Sequence, residues 1–455
     1  MTDVAEENRT ERVLRFVKRP IVLVFLVGLL IRLILIPLLA YPYDVSHWAI
    51  TIQNIESGNG LYELPGYYYS PVWGYILGIV SFFGSFLMDI PLGGYFNSAV
   101  PMELLWWDLY KAEITTIEFN VLVKIPMLLS DMLIGILLYR FIKERTDDER
   151  KSTIGAALWL LCPIVIYMSA VQGMFDTISV LFMLLSVMAA YKGRYFAAGS
   201  ALALATLTKL FPVYLIFVLA AYVITKHGPD KKEAFRKLAY GLAGVFVTSL
   251  IVFLPQIMDG TVMESLAFIF NRVDSSGVPS DAVTWEEMFT SIGYSIVMFL
   301  QIIVIPLAAY VAYRMYRSGP ENIDEKFMSC VFFTSAIVFL WVPAPQYLMI
   351  IVPFLAYHIV MNDRKYIVPW AIMSFGALAF AFTMNNFSLL SSLAAFTDMI
   401  SMDWLVGFME RIQGATIFGL RPFVGTYFIT GAVEAIGIWL LILYYILDRR
   451  KEAAA

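Results

Sequence analysis

Residues 21–41 read IVLVFLVGLLIRLILIPLLAY, and residues 42–48 continue as PYDVSHW. The first stretch carries one charge, Arg32, and it meets the roughly 17–25 apolar residues that a helix needs to cross a bilayer core. It is too long for the apolar region of a signal peptide and lacks a small-residue cleavage site, so it reads as an uncleaved anchor. A polar tail, residues 1–19, precedes it. A proline, aromatic rings and a carboxylate, Asp44, follow it at the level where the chain meets water.

The same pattern recurs as far as Leu447. With 60% hydrophobic and 15% charged residues, the composition excludes a soluble globular chain, whose surface needs far more charge. The expected fold is an all-α polytopic membrane protein with about twelve transmembrane helices. They fall near 21–41, 120–141, 153–171, 174–191, 195–209, 210–225, 238–255, 289–312, 327–343, 346–361, 366–384 and 427–447. Basic residues gather in the amino-terminal tail, Lys226 to Lys237, Arg314 to Lys326 and Arg449 to Lys451, which the positive-inside bias makes cytoplasmic. The segments 42–70, 89–119, 256–288 and 385–426 hold few basic residues and read as outer loops. The organisation is then a cytoplasmic tail, 1–19, a catalytic transmembrane module, 20–384, with its outer loop 42–119, and a final outer loop and helix, 385–451.

Residues 71–88 are apolar enough to span, but the acidic segments on either side both belong outside. A juxtamembrane helix in the first outer loop, or a re-entrant hairpin, satisfies both constraints. Cys162 and Cys330 lie inside apolar spans and support neither a disulfide framework nor a metal cluster. No repeat of 20–50 residues and no phosphate-binding glycine loop of the Walker or dinucleotide type is present, which argues against nucleotide hydrolysis, and nothing points to nucleic acid.

The chemistry therefore belongs to loops and span ends. Asp44, beside aromatic rings at the water boundary, could be a general base or an ordinary loop acid. Asp176, in Gln172-Gly173-Met174-Phe175-Asp176, could face the same aqueous side as Asp44 or cap a helix. Tyr62, Tyr67 and Tyr69 form a dense ledge of the kind a sugar-binding surface needs, although for any single tyrosine an interfacial belt is the commoner role. Lys124 and Asp131, seven apart on one helix face, read as a structural pair, and Arg32 could offset Asp131 or Glu434. Lys209, at a break between two short spans, suits a lipid phosphate or snorkels to the interface. The outer-loop arginines Arg272, Arg411 and Arg421 are candidate phosphate partners. The histidines His47, His227 and His358 have no paired ligand spacing. Carboxylate coordination of Mg²⁺ or Mn²⁺ by Asp44 and Asp176 stays open, with no cofactor certain.

The aspartate after the first span, Gly60-Leu61-Tyr62, Tyr67-Tyr68-Tyr69-Ser70-Pro71, Lys124-Ile125-Pro126 with Asp131, Gln172 to Asp176, Lys209-Leu210-Phe211-Pro212 and Pro345-Gln346-Tyr347 occur in the order and spacing of a known pattern. It resembles the GT-C membrane glycosyltransferases, especially the polyprenyl-phosphate-mannose-dependent mannosyltransferases and their GT87-like relatives. The resemblance implies inverting transfer of a sugar, mannose above all, from a polyprenyl-phosphate donor to a glycan, glycolipid or glycoprotein acceptor on the non-cytoplasmic face. It implies catalytic roles for Asp44 and Asp176, and a substrate-binding set of His47, Tyr62, Tyr67, Tyr69, Lys124, Gln172, Lys209, Arg272, Gln346 and Tyr347. The sequence departs from some relatives in having Val45 and Ser46, not a second acid, beside Asp44, and Gly-Met-Phe-Asp where Gly-Gln-Phe-Asp is common. The rival readings are a transporter or flippase of lipid-linked saccharides, coupled through Lys124, Asp131 and Glu434, and a noncatalytic subunit that keeps the fold. Missing secretory-pathway signals and a short chain fit a prokaryotic plasma membrane.

Overall fold

The computed structural model describes residues 19–63, 67, 69–87, 94–105, 112–266, 303–340, 344–419 and 421–454. The chain is overwhelmingly helical, with one small two-stranded ribbon, β1 (Phe96–Ala99) against β2 (Glu113–Thr115), that the helical reading did not foresee. Five helices are long and apolar enough to cross a bilayer among the described residues. They are α1 (Pro20–Leu38), α4 (Ile117–Thr146), α10 (Lys231–Asp259), the helix of residues 364–384 whose regular part is α13 (Ile367–Met384), and the greater part of α16 (Pro422–Ala454). A sixth is the pair α5 (Glu149–Leu160) and α6 (Pro163–Ile166), the latter running on as a π-helical turn, Tyr167–Gln172; the pair bends by 49° at Leu161-Cys162.

Other helices are shorter. They include α2 (Pro42–Glu56), α3 (Pro71–Leu87), α7 (Asp176–Tyr191), α8 (Tyr195–Thr208), α9 (Leu215–Lys226), α11 (Ile323–Ile337) and α12 (Val352–Met361). The 14 residues of α8 extend about 21 Å at 1.5 Å per residue, less than the ~30 Å of a bilayer core. The structure thus supplies a multi-pass helical bundle, with five spans by length and composition among the described residues, or six if the bent pair is one span, which does not reach the expected count of about twelve. The expected crossing at 289–312 lies largely outside the described residues.

The bundle has two chemically distinct ends. At one, Lys192 pairs with Glu144 at 2.8 Å, Lys226 with Asp324 at 2.8 Å, and Lys365 with Asp448 at 2.5 Å. Lys226 and Asp324 lie in, and Asp448 next to, the segments that the charge pattern gathered on one side. At the other end lie the start of α4, Gln172, the start of α7, the end of α8 and the end of α10.

Helix α3 stays at this second end. Near its start, Trp73 stacks on Phe175, just before α7, with centroids 4.8 Å apart, and Tyr75 bonds Gln256 of α10 at 2.8 Å. Near its finish, a Cβ on Gly84 would lie 2.5 Å from Leu122 in the second turn of α4. These contacts lie at the end of the bundle where α4 begins and α10 ends, the position that a juxtamembrane helix takes. Ile79, Phe82, Phe83 and Phe86 remain exposed along it, an apolar strip suited to a lipid interface.

Two short helices complete this end. α14 (Leu390–Phe396) and the amphipathic α15 (Met402–Gly414) follow α13, and Leu405 and Met409 of α15 pack with Val100, Leu104 and Ile114 around the ribbon. Elsewhere, close helix packing rests on glycine. A Cβ at Gly199 would fall 1.9 Å from the Gly241 carbonyl oxygen, and one at Gly244 would fall 2.1 Å from that of Phe196, so α8 and α10 touch backbone to backbone.

Candidate functional site

Asp44 sits in the first turn of α2, after Pro42 at a position where the fixed φ of proline starts a helix. Its side chain is buried, and Gln172 Nε2 donates to Asp44 Oδ2 at 2.9 Å. Burial pushes the carboxyl up to about 6, against the downward pull of the Gln172 hydrogen bond and the Lys209 charge and with a further upward push from Asp176. At neutral pH the group is then mostly ionised and far more basic than a surface aspartate.

The π-helical turn explains why Gln172 reaches Asp44. The wider turn is closed by Gly173, whose φ of +81° is left-handed and whose added Cβ would press on Val45 at 2.9 Å. The Gly173 carbonyl accepts from Trp48 Nε1 at 3.1 Å, tying α2 to the turn. Glycine between Gln172 and Met174 is thus a requirement of the docking.

Asp176 opens α7 and Lys209 ends α8. Lys209 Nζ lies 3.3 Å from Asp176 Oδ2, with both side chains buried. The ammonium also faces Phe175 at 4.6 Å, Tyr69 at 5.0 Å and Tyr347 at 5.5 Å from the ring centroids. Asp44, Gln172, Asp176, Lys209, Tyr69 and Tyr347 therefore gather at one place from five separate parts of the chain.

The other candidates take different positions. Tyr62 donates to the Tyr69 carbonyl at 2.7 Å and Tyr67 to that of Ser70 at 2.8 Å, while Gly74 N–H donates to the Tyr67 oxygen. Those hydroxyls shape the loop before α3. The His47 Nδ1 meets the Tyr43 carbonyl at 2.9 Å. Gln346 has a buried side-chain oxygen with no hydrogen-bond partner among the described residues, one step from Tyr347. Arg411 and Arg421 are exposed, and Arg411 bonds the Gly407 carbonyl in its own helix. Arg272 lies outside the described residues.

Lys124 and Asp131 do not pair with each other. Lys124 Nζ donates to the carbonyls of Ile36, Leu39 and Ala170, closing the end of α1 onto the π turn. Asp131 takes Arg32 Nε at 2.7 Å, Ser169 at 2.5 Å and Thr177 at 2.5 Å. Seven residues along a straight helix shift depth by about 10 Å, so same-face residues at that spacing meet different neighbours. Arg32 thus offsets Asp131 and leaves Glu434 in α16, whose carboxyl oxygens are buried without a hydrogen-bond partner among the described residues.

No group of three or more His, Cys, Asp or Glu comes together among the described residues. Asp176 is already paired with an ammonium and Asp44 with an amide donor, which does not make the oxygen cage that Mg²⁺ or Mn²⁺ takes.

The structure is that of a helical multi-pass membrane protein with a cluster of buried polar side chains at one end of the bundle. Residues 92–276 match the model of a membrane family described as PIG-U, GPI transamidase subunit PIG-U. The chain is similar to that family over somewhat less than half of its length, a stretch that contains Lys124, Gln172, Asp176 and Lys209 but neither Asp44 nor Tyr347. No curated protein matches the chain.

Proposed function

We propose that this chain is an inverting glycosyltransferase that moves a sugar, mannose first among candidates, from a polyprenyl-phosphate donor to a glycan, glycolipid or glycoprotein acceptor at the end of the bundle opposite the basic turns. The observation that carries this reading is the buried, raised-pKa Asp44 gathered with the Lys209–Asp176 pair at the ends of short helices. Asp44 accepts the proton of an acceptor hydroxyl, whose oxygen bonds the anomeric carbon as the carbon–oxygen bond to phosphate breaks. The phosphate leaves with that electron pair, and Lys209 stabilises the growing charge. The shortness of α7 and α8 supports a position for Lys209 and Asp176 within reach of a headgroup that remains attached to its lipid. Tyr69, Tyr347 and Gln346 flank that position and would line the donor.

The similarity over residues 92–276 favours a second reading, a subunit of a larger membrane assembly that keeps the fold without transferring sugar. A flippase is less well supported, since Lys124 and Asp131, its coupling candidates, are saturated by fixed partners. Purified protein in nanodiscs, given synthetic polyprenyl-phosphate-mannose and a panel of saccharide acceptors, decides between them. Mass spectrometry should find a mannosylated acceptor with wild-type protein and none with Asp44→Asn. Donor that stays intact with wild type, together with co-purification in a stable complex, would select the subunit reading.

A further inference from the structure

The turn after α13 is strained. Asn386 and Phe387 are consecutive, neither is glycine, and both are left-handed, with φ of +51° and +54°. Such backbone persists where its surroundings hold it and is a pointer to a working role. Gln413 of α15 does so by donating to Asn386 Oδ1 at 2.8 Å, and the Phe387 ring packs against Phe382 and Phe408.

What the turn achieves is the placement of Asn385, which is 1% exposed. Asn385 Nδ2 donates to the Tyr167 hydroxyl at 3.0 Å and to Gln172 Oε1 at 3.3 Å, and Gln172 Nε2 in turn faces Asp44. A carboxamide has one accepting end and one donating end. With its oxygen committed to Asn385, Gln172 can turn only its NH₂ to Asp44. Without Asn385 the amide could rotate and offer its oxygen instead, which would hold a proton on Asp44.

We propose that Asn385 is a positioning residue that fixes the rotation of the Gln172 carboxamide, so that Asp44 always meets a donor and its ionised, proton-accepting form is favoured. The role as base rests on the function proposed above; the orientation of the amide does not. The other titratable groups facing Asp44 are Lys209, Asp176, Tyr41 and Tyr167. A neutral substitution at position 385 leaves Lys209, Asp176 and Tyr41 in place but takes a hydrogen bond from Tyr167, so the amide's share is the part of the change in Asp44 protonation that needs Gln172.

The test follows Asp44 protonation directly, by the pH dependence of carbodiimide labelling read from the Asp44 peptide by mass spectrometry. It needs no turnover, so failure of the transferase reading and failure of this one are separable. Asn385→Leu should raise the labelling midpoint by about 0.5–1 pH unit, the worth of one neutral hydrogen bond newly available to the protonated form. In a Gln172→Leu background the same substitution should leave the midpoint unmoved. Asn385→Ala makes the same loss with less bulk and replaces Asn385→Leu if that protein is recovered unfolded. A wild-type midpoint in the folded variant, or an undiminished shift in the Gln172→Leu background, overturns the proposal.

Discussion

Lys209 and Asp176 form an ion pair at 3.3 Å inside a wall of aromatic rings, joining the end of one short helix to the start of another. Removing one partner from a buried pair leaves an uncompensated charge, at a cost of about 3–5 kcal/mol, whereas removing both can be nearly neutral. Lys209→Met and Asp176→Asn should therefore each lower the unfolding midpoint, and the double variant should recover most of the loss. Equal additive losses would mean that the two charges do not sense each other. If Lys209 also holds the donor phosphate, the double variant should be folded yet unable to retain a polyprenyl-phosphate probe.

The raised pKa of Asp44 has a sign that can be checked twice. Acting as a base, the group must be ionised, so transfer should rise with pH through about 6 and level off above it. For stability the direction is opposite. The folded pKa exceeds the ordinary value of 3.8, so the folded state binds more protons in between, and stability declines from pH 3.8 to about 6. Asp44→Asn should then lose about 10²–10⁴-fold in rate while being no less stable at pH 7 than wild type. A clear loss of thermal stability at pH 7 would contradict the burial that sets the pKa.

Because these contacts of α3 lie at one end of the bundle, single cysteines at Ser57 and Ser98 should label from the same side with an impermeant reagent. A cysteine in the 226–237 turn should label only after permeabilisation. Ser98 behaving like the 226–237 turn would make α3 a crossing helix.

The backbone contact between α8 and α10 leaves no room for a methyl group. Gly199→Ala or Gly244→Ala should separate the helices and destabilise the protein by about 1–3 kcal/mol. The damage should reach Lys209, which terminates α8. Normal stability of both variants would show that the two helices are free to part.

Much of the arrangement could be read from residue order, because the long apolar runs and the placement of lysine and arginine are each set by the bilayer. The same rules put residues 71–88 at one surface, an expectation that the packing of α3 against Phe175, Gln256 and Leu122 supports. The gathering of Asp44, Gln172, Asp176 and Lys209 was legible through a resemblance whose elements are short and local. Other features had no local signal. Asn385 meets Gln172 across 213 residues, from a loop whose sequence looks like any polar loop. The tyrosine ledge was half informative: Tyr69 joins the lysine cage, while the hydroxyls of Tyr62 and Tyr67 are consumed by nearby backbone. Lys124 and Asp131 share a helix face, yet depth along the helix gives each its own partners. The ribbon was hidden because its strands are 4 and 3 residues long and alternate too briefly to show a period.

The shortness of α8 bears on the bilayer itself. A 14-residue helix leaves roughly 9 Å of hydrocarbon thickness unmatched, and lipids beside such a helix must compress or tilt, at a fraction of a kcal/mol per Å. Were α8 to face lipid on its free side, lipids of short acyl length would relieve that deformation and collect there, and membrane thickness would become a setting of the proposed activity in its own right.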